Sequence, residues 1–218
     1  MNKKEKVCFF IDGANFYHLV IKKLGVQEIN FNFDNFVKFL AGDRKIIRRG
    51  KRFYVGTVRE KVGDERSKKA MAKQIRFLTK LSSDKWEIKT SKLRKREEKI
   101  IMDERVVNYK KILKKGIKSI AFERTREKGI DVKIATDLIV GSIDNKYDTA
   151  IVISSDTDLI PALDWVKYRK SKKIEYIGFS IINLKNKNDK TRPSQGMITH
   201  SDIQRVLTVS DINPFVIN

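Results

Sequence analysis

The stretch from residue 151 to residue 162 constrains the fold of this chain more than any other. It opens with Ile151–Ile153, an apolar and β-branched run that predicts a short strand buried on both faces. Two serines and two aspartates follow within 154–158, and apolar side chains resume at helical spacing over 159–166. A buried strand that ends in carboxylates and turns directly into a helix is typical of ligand sites in α/β proteins. The chain is therefore predicted to be an α/β protein with a site at this strand end.

Asp156 has a structural explanation that competes with a functional one. An aspartate ahead of a helix commonly serves as its N-cap, and Pro161 is compatible with the first helical turn. Capping explains Asp156 well, but it explains a second aspartate two residues later less well. We therefore treat both carboxylates as candidates for chemistry.

The same arrangement occurs near the N-terminus. Val7–Ile11 predicts a second short buried strand, and Asp12, Gly13 and Asn15 follow it before a helical pattern resumes at Phe16. Gly13 is expected to permit a tight turn beside Asp12. Two such strands can lie side by side where the winding of a sheet reverses, and their acidic ends would then repel each other unless a cation lay between them. The pattern therefore predicts a site for a hard divalent metal ion.

Asp131 supplies a third candidate carboxylate. It stands at the start of a predicted helix, in line with an apolar stripe formed by Ile134, Ala135, Leu138 and Ile139. We expect it to point toward the sheet ends, where a third acid would complete a metal site; as a helix N-cap it would be unremarkable. Asp137 lies off that stripe, where an ion pair with Lys133 one turn earlier is an equally simple role.

The hydrophobic periodicity of the remaining chain predicts the elements around these acids. Further strands are expected at Arg52–Val58, Trp86–Thr90 and Ile174–Phe179. Helices are expected at 34–40, with Asp34 as N-cap, at Arg66–Leu81 and at Ser201–Val209. A basic connection is expected at 42–52 and a polar loop at Asn183–Pro193.

The segment 91–126 is predicted to elaborate a single domain of residues 1–218, because no low-complexity linker interrupts the chain. We expect a helix at Ile100–Lys115 and a strand at Ile117–Phe122 that pairs as a hairpin with the end of the Trp86 strand. Basic residues in and near this segment are candidates for binding nucleic acid: Lys92, Arg94, Lys95, Arg96 and Lys128. A solvated charged face explains the same residues equally well.

The charge of the chain points to a polyanionic partner. The 218 residues include 48 lysines and arginines against 27 acids, which gives a formal net charge of +21 at pH 7. Nucleic acid is the favoured partner because the positive charge accompanies a carboxylate site suited to handling phosphate. Lysines that only solvate the surface, or an anionic membrane surface, are the alternatives. The sequence leaves open whether the chain forms a homo-oligomer.

Composition and the lengths of the apolar segments indicate where in the cell the protein is expected. Hydrophobic residues make up 40% of the chain, which is typical of a globular protein. The apolar run at Val7–Ile11 is too short for a membrane span, and it breaks at Asp12 in a way that is unlike a secretory signal. The one cysteine, Cys8, is expected to be a core thiol. We therefore expect a cytoplasmic protein that does not insert into membranes.

Three groups of residues, in order along the chain, resemble the NYN branch of the PIN-like nucleases. They are Asp12-Gly13-x-Asn15, Lys128-Gly129-x-Asp131 with Asp137, and Ser154-x-Asp156-x-Asp158 followed by Pro161. The resemblance spans almost the whole chain, although 91–126 is longer and more basic than is usual in the family. One such motif is a weak signal, whereas three in order form a fairly specific one. Ser155 is a mild departure, because the family position is usually small and often glycine.

The resemblance implies a three-layer α/β/α sandwich, PIN-like and Rossmann-like, with a mostly parallel sheet ordered 3-2-1-4-5. It also implies a ribonuclease that depends on Mg²⁺ or Mn²⁺. Carried over by position, the catalytic and metal-binding acids are Asp12, Asp131, Asp156 and Asp158. The supporting positions are Asn15, Asp137 and Ser154. Because Mg²⁺ keeps several waters, two or three carboxylates and a substrate phosphate suffice to hold it.

Other classes of protein fit the residues less well. An aspartyl phosphatase usually has a second aspartate two residues after the first, where this chain has Ala14. A receiver-like phosphoacceptor would not need so much positive charge, and dinucleotide binding needs a glycine-rich turn, whereas Gly13 stands alone. Neither His18 nor His200 is required for the expected chemistry. A non-catalytic RNA-binding or scaffold module that keeps the fold is the principal alternative to a nuclease.

Overall fold

The computed structural model describes residues 4–58, 60, 63–127, 129–183 and 186–217. Its strands are β1 (Lys6–Asp12), β2 (Lys45–Thr57), β3 (Glu87–Ile101), β4 (Ser119–Glu127), β5 (Thr149–Ile153), β6 (Lys173–Ser180), β7 (Ile182–Asn183), β8 (Asn186–Lys190) and β9 (Ile203–Thr208). Its α-helices are α1 (Gly13–Phe16), α2 (Lys22–Leu24), α3 (Phe33–Ala41), α4 (Glu65–Ser83), α5 (Tyr109–Lys114), α6 (Ile130–Ile143), α7 (Ile160–Lys170), α8 (Gln195–Thr199) and α9 (Val209–Ile212). A π-helical segment, Tyr17–Ile21, joins α1 to α2, and 3₁₀ turns occupy Glu28–Asn30, Thr157–Leu159 and Asn213–Phe215.

One sheet organises the molecule, with its strands in the order β4-β3-β2-β1-β5-β6-β9. All neighbours are parallel except β4, which runs antiparallel to β3. The predicted order 3-2-1-4-5 is confirmed for the five strands β3, β2, β1, β5 and β6. The sheet also continues past both ends of that order, through β4 on one side and β9 on the other.

The central strand β1 separates two hydrophobic cores. Val7, Phe9 and Ile11 enter one core together with residues of the helices at 13–41, of α4 and of α9. Cys8 and Phe10 enter the other core, which is built from residues of α6, α7 and α8. Successive side chains of a strand point to opposite faces, so a strand that is apolar throughout must be covered on both. The three-layer α/β/α architecture is therefore confirmed.

Strand β9 replaces the helix predicted at Ser201–Val209. Every second residue of β9 is the less exposed one, namely Ile203, Arg205 and Leu207. The strand pairs in parallel with β6 from Glu175↔Ile203 to Ser180↔Thr208. The prediction was wrong because this short apolar pattern fits helical and extended spacing alike. The pairing with β6 decides between them.

Strand β2 begins at Lys45, so most of the stretch 42–52 is extended and is not the predicted connection. The pairing of β1 with β2 shifts register between Val7 and Phe9, and Arg49 adopts a positive φ of 58°. This irregularity and the exposed basic side chains conceal the strand pattern. The helix N-cap predicted at Asp34 is also wrong: Asn32 caps α3, and Asp34 instead accepts a hydrogen bond from Trp86 Nε1 at 2.7 Å.

The segment 91–126 contains the predicted hairpin but little of the predicted helix. β4 pairs antiparallel with the second half of β3, from Leu93↔Glu127 to Ile101↔Ser119. Ile100 and Ile101 therefore belong to a strand, and only Tyr109–Lys114 of the predicted helix forms, as α5. The predicted polar loop at Asn183–Pro193 contains the strand β8, which pairs with β7 at the start of that stretch. Among the helices that the structure describes, none is long and apolar enough to cross a membrane.

Candidate active site at the carboxyl edge of the sheet

Asp12 and Ser154 meet where two central strands end. β1 pairs in parallel with β5 up to Ile11↔Ile153, so the residues that follow both strands lie at one edge of the sheet. Ser154 Oγ donates a buried hydrogen bond of 3.1 Å to Asp12 Oδ2. The predicted convergence of these two strand ends is therefore present in the structure.

Asp12 also caps the helix that follows it. Its Oδ1 accepts a hydrogen bond of 3.0 Å from the backbone N–H of Asn15, which begins α1 directly at the strand end. Gly13 serves this junction through its size and not through the tight turn that we expected. A Cβ at that position would lie 2.5 Å from a ring carbon of Phe53 and 2.9 Å from the carbonyl oxygen of Tyr54. Only glycine lets the backbone beside Asp12 approach β2 so closely.

Asn15 joins α1 to the loop after β5. Its Oδ1 accepts hydrogen bonds from the Ser155 backbone N–H at 3.1 Å and from Ser155 Oγ at 2.9 Å. The serine at the position that is often glycine in the family thus gains a second hydrogen bond to Asn15. Phe16, the next residue, packs its ring against Phe31, Phe33, Phe36 and Phe179 at centroid distances of 5.2 to 5.8 Å. This aromatic packing fixes the helix turn that carries Asn15.

Asp156 and Asp158 lie in the turn between β5 and α7. The backbone N–H of Asp156 donates to Ser154 Oγ at 3.2 Å, so that hydroxyl links Asp156 to Asp12. Asp156 Oδ1 in turn accepts from the backbone N–H of Asp158 at 3.0 Å and caps the turn Thr157–Leu159. Asp156 is half-buried and Asp158 is exposed. Asp156 therefore has the capping role that its position suggested, in addition to its place beside Asp12.

Asp131 reaches the same edge from the start of α6. Gly129, with a positive φ of 83°, is the N-cap residue, so Asp131 lies in the first turn and does not cap the helix. Ile130, Ile134 and Leu138 are buried in the core on this face of the sheet. Burial of that stripe sets the rotation of α6 and leaves Asp131 half-buried.

A cleft of about 380 Å³ opens at this edge. Its lining residues come from α1, the following π-helical segment, the start of α6 and the loop after β5: Asp12, Ala14, Asn15, His18, Leu19, Ile130, Asp131 and Ser155. The cleft therefore presents two of the predicted acids, while His18 lies exposed at its wall. Sequence reasoning did not place His18 in the site, because its position in a helix gave no signal beyond that of a surface residue.

Burial and neighbouring carboxylates raise the pKa values of Asp12 and Asp131. The pKa of Asp12 is raised to about 6, chiefly because burial disfavours the charged carboxylate. The Asn15 and Ser154 hydrogen bonds oppose this rise, and the charges of Asp131 and Asp156 add to it. The pKa of Asp131 is raised by burial and by Asp156 and Asp158.

The chemistry of this donor set fits a hard divalent cation, because its charged ligands are oxygens and their mutual repulsion is relieved by a cation. In the described part of the chain, no three acidic, histidine or cysteine side chains already stand in an arrangement that holds an ion. Mg²⁺ commonly keeps several of its waters, so it needs few direct carboxylate ligands.

Asp137 takes part in a separate polar network on the same face of the sheet. Its Oδ2 accepts a hydrogen bond of 2.8 Å from Tyr54 Oη and lies 3.8 Å from Arg52 Nη1 and 3.6 Å from Lys89 Nζ. Lys133, the partner suggested by helical spacing, donates instead to the carbonyl oxygen of Thr90. Sequence reasoning missed this network, although polar residues at 52 and 54 inside a buried strand were a signal for it.

The predicted basic residues are only partly described. Arg96 is exposed on β3, and its register partner is Arg124 of β4. Lys92, Arg94 and Lys95 lie within β3, but their side chains are outside the described part of the structure. Lys128 is outside the described residues altogether.

Comparison with known proteins bears on this site. A model of the NYN domain family matches residues 6–195. The fold is similar to the crystal structure of a protein of unknown function, VPA0982, from Vibrio parahaemolyticus, with 15% sequence identity and a TM-score of 0.51 over 95% of each chain. That likeness bears on the fold alone, and no curated protein matches the sequence. Because the family model covers most of the sequence, the chain belongs to the NYN domain family of the PIN-like nuclease superfamily.

Proposed function

We propose that this protein is a metal-dependent nuclease that hydrolyses phosphodiester bonds, with RNA as the favoured substrate. One observation carries the proposal. The ends of β1 and β5 and the start of α6 bring Asp12, Asp156 and Asp131 to one edge of the sheet, beside a cleft of about 380 Å³. Family membership supports the same reaction class. The preference for RNA rests on the family, and the net charge of +21 supports a polyanionic substrate.

The side chains differ in how firmly they are held, and this suggests different roles. Asp12 is 6% exposed and receives hydrogen bonds from Asn15 N–H and Ser154 Oγ, so it is the fixed ligand. Asp131 and Asp156 are half-buried and complete the inner set, and the exposed Asp158 is the outermost acid. A bound Mg²⁺ or Mn²⁺ ion would supply a water of lowered pKa and positive charge opposite the phosphate.

One observation favours the alternative of a non-catalytic RNA-binding module. Asp156 already uses one carboxylate oxygen as a helix cap, and among the described residues no three ligands are arranged to hold an ion. Acids retained for folding alone would produce the same picture. The two functions differ in a simple measurement, which is metal-dependent cleavage.

The test is incubation of the purified protein with labelled single-stranded RNA in Mn²⁺, in Mg²⁺ and in EDTA. We expect cleavage that requires the divalent ion and that falls at least about 100-fold in Asp12→Asn and in Asp156→Asn. Asp164→Asn is the matched control, because Asp164 lies on α7 and contacts His200 Nδ1 at 2.8 Å outside the cleft. Equal cleavage by all variants would contradict the assignment of the site to Asp12 and Asp156. No cleavage by the wild type in any metal would contradict a nuclease.

A further inference from the structure

A two-stranded arm leaves the sheet at the edge where the candidate active site lies. β3 pairs with β2 as far as Thr57↔Lys92, and its remaining residues continue past the end of β2. They pair only with β4 among the strands described, from Leu93↔Glu127 to Ile101↔Ser119, over a length of about 30 Å. β4 ends at Glu127, and α6 with Asp131 begins at Ile130. The arm, defined as residues 93–127, therefore returns the chain directly to the cleft.

The register divides the residues of the two strands between two unlike faces, because neighbours along a strand alternate and partners across strands share a face. One set of positions, which we call the arginine face, consists of the pairs 94/126, 96/124, 98/122 and 100/120. Its described side chains are two arginines against one glutamate, with one phenylalanine and two isoleucines. The described side chains of the other set include one lysine against two glutamates. Basic residues that served only solubility would not need to be concentrated on one face of the arm. They would not need to be arginine either, because lysine is the commoner basic residue in this chain.

Arg96 and Arg124 place two positive charges opposite each other on the arginine face. They are register partners, and both are exposed. Like charges directly opposite each other destabilise an antiparallel pair, and Arg124 finds partial compensation in Glu98 at 3.5 Å. Guanidinium groups bind phosphate through two parallel hydrogen bonds, so a phosphate backbone lying across this pair would relieve the repulsion.

The outer part of the arginine face is apolar. Ile100 and Ile120 are partners that are 43% and 46% exposed, and Phe122 is 36% exposed opposite Glu98. An aromatic ring beside arginines is the combination on which unstacked bases bind, whereas a duplex hides the faces of its bases. A second copy of this chain is a poor occupant because each copy carries a net charge of +21.

We propose that the arginine face binds single-stranded nucleic acid and directs the strand toward the cleft beside Asp131. The proposal rests on the proposed function for its substrate class, and it adds the surface that selects the single-stranded form. In this arrangement Arg96 and Arg124 bind the backbone, and Phe122 stacks on a base.

The test is fluorescence anisotropy with a labelled single-stranded RNA of about 20 nucleotides in EDTA at several salt concentrations. Arg96→Gln and Arg124→Gln should each weaken binding about fivefold at 0.1 M salt and reduce the salt slope by about 0.7. Phe122→Ala should weaken binding at least about fivefold with little change in slope. Lys99→Gln is the matched control, because it removes one charge from the same strand on the opposite face, and it should alter affinity less than about twofold. The melting temperature of the double arginine variant should be unchanged or raised, since it loses a like-charge pair.

The outcomes separate this proposal from the nuclease proposal. Equal effects of Lys99→Gln and the arginine variants, unchanged binding by the double arginine variant, tighter binding of the corresponding duplex, or no binding by the wild type would each overturn the arm proposal. Metal-dependent cleavage could still be present in the first three cases. Conversely, loss of affinity in the arginine and phenylalanine variants of a protein that cleaves nothing would support the arm and contradict the nuclease.

Discussion

Ser154 Oγ donates a hydrogen bond of 3.1 Å to Asp12 Oδ2 and joins two residues that are 142 positions apart in the sequence. Asp12 ends β1, and Ser154 follows β5, the strand beside it. The same hydroxyl accepts from the backbone N–H of Asp156 at 3.2 Å. One buried serine thus fixes the relative position of two strand ends and of the acids at each of them.

Ser154→Ala should separate positioning from stability. The variant loses one buried and one partly buried hydrogen bond, so the free energy of unfolding should fall by about 1–2 kcal/mol. Metal-dependent cleavage should fall about tenfold because Asp12 is less well held. Ser142→Ala is the control, because Ser142 is equally buried and lies outside the cleft. Its hydroxyl donates a hydrogen bond of 2.7 Å to the Ile139 carbonyl oxygen. Chemical denaturation and cleavage rates are the measurements. A similar loss of activity in both variants would contradict the positioning role.

Gly13→Ala should destabilise the folded state because the structure has no room for a methyl group at this position. A methyl group would collide with the Phe53 ring and with the Tyr54 carbonyl oxygen, which belongs to the backbone of a central strand and cannot yield easily. We expect a loss of about 1–3 kcal/mol in the free energy of unfolding. Gly196→Ala is the comparison, because its added Cβ would meet only side-chain atoms, at 3.0 Å or more. Denaturant midpoints that fall equally would show that close approach at Gly13 is unimportant.

Asp137→Asn should weaken the fold and spare the metal site. Arg52 is 7% exposed and would lose part of its compensating charge, although Glu87 remains 3.5 Å from its Nε. The free energy of unfolding should fall by about 1–2 kcal/mol. The increase in melting temperature on adding Mn²⁺ should persist, because Asp137 belongs to a separate network. Loss of that increase would place Asp137 among the ion's ligands.

Glu28 gives the protein a pH-dependent stability that is unrelated to the cleft. Burial raises its pKa from 4.5 to about 7, so the folded state holds a proton that the unfolded state releases. Stability should therefore fall as the pH rises from about 4.5 to about 7. After allowance for solvent screening at a half-buried group, Glu28→Gln should recover about 1–2 kcal/mol at pH 8 and nothing at pH 4. Glu65→Gln, at an exposed position on α4, is the control for thermal melts across this range; a curve identical to the wild type for Glu28→Gln would refute the assignment.

The sequence predicted the parts of the fold that depend on uninterrupted apolar runs. Val7–Ile11 and Ile151–Ile153 are buried on both faces, and only a central parallel strand accommodates such runs. The acids after them could be placed at one edge for the same reason, since parallel neighbours end together. Asp131 could be placed on its helix by the spacing of the buried stripe.

The remaining features depend on contacts between distant residues. β9 is extended because β6 lies beside it, and the start of β2 is concealed by exposed basic side chains. The partners of Asp137 come from two strands, and no pattern local to α6 indicates them. The arm was visible as a basic segment, but its two unlike faces emerge only from the register of β3 against β4.

Calorimetric titration of Mn²⁺ into the wild-type protein and into Asp12→Asn, with Asp164→Asn as control, tests whether carboxylates from β1, α6 and the loop after β5 form one divalent cation site. We expect saturable binding by the wild type and by the control, and loss of that binding in Asp12→Asn. Identical titrations of all three proteins, or no binding by the wild type at millimolar Mn²⁺, would contradict such a site.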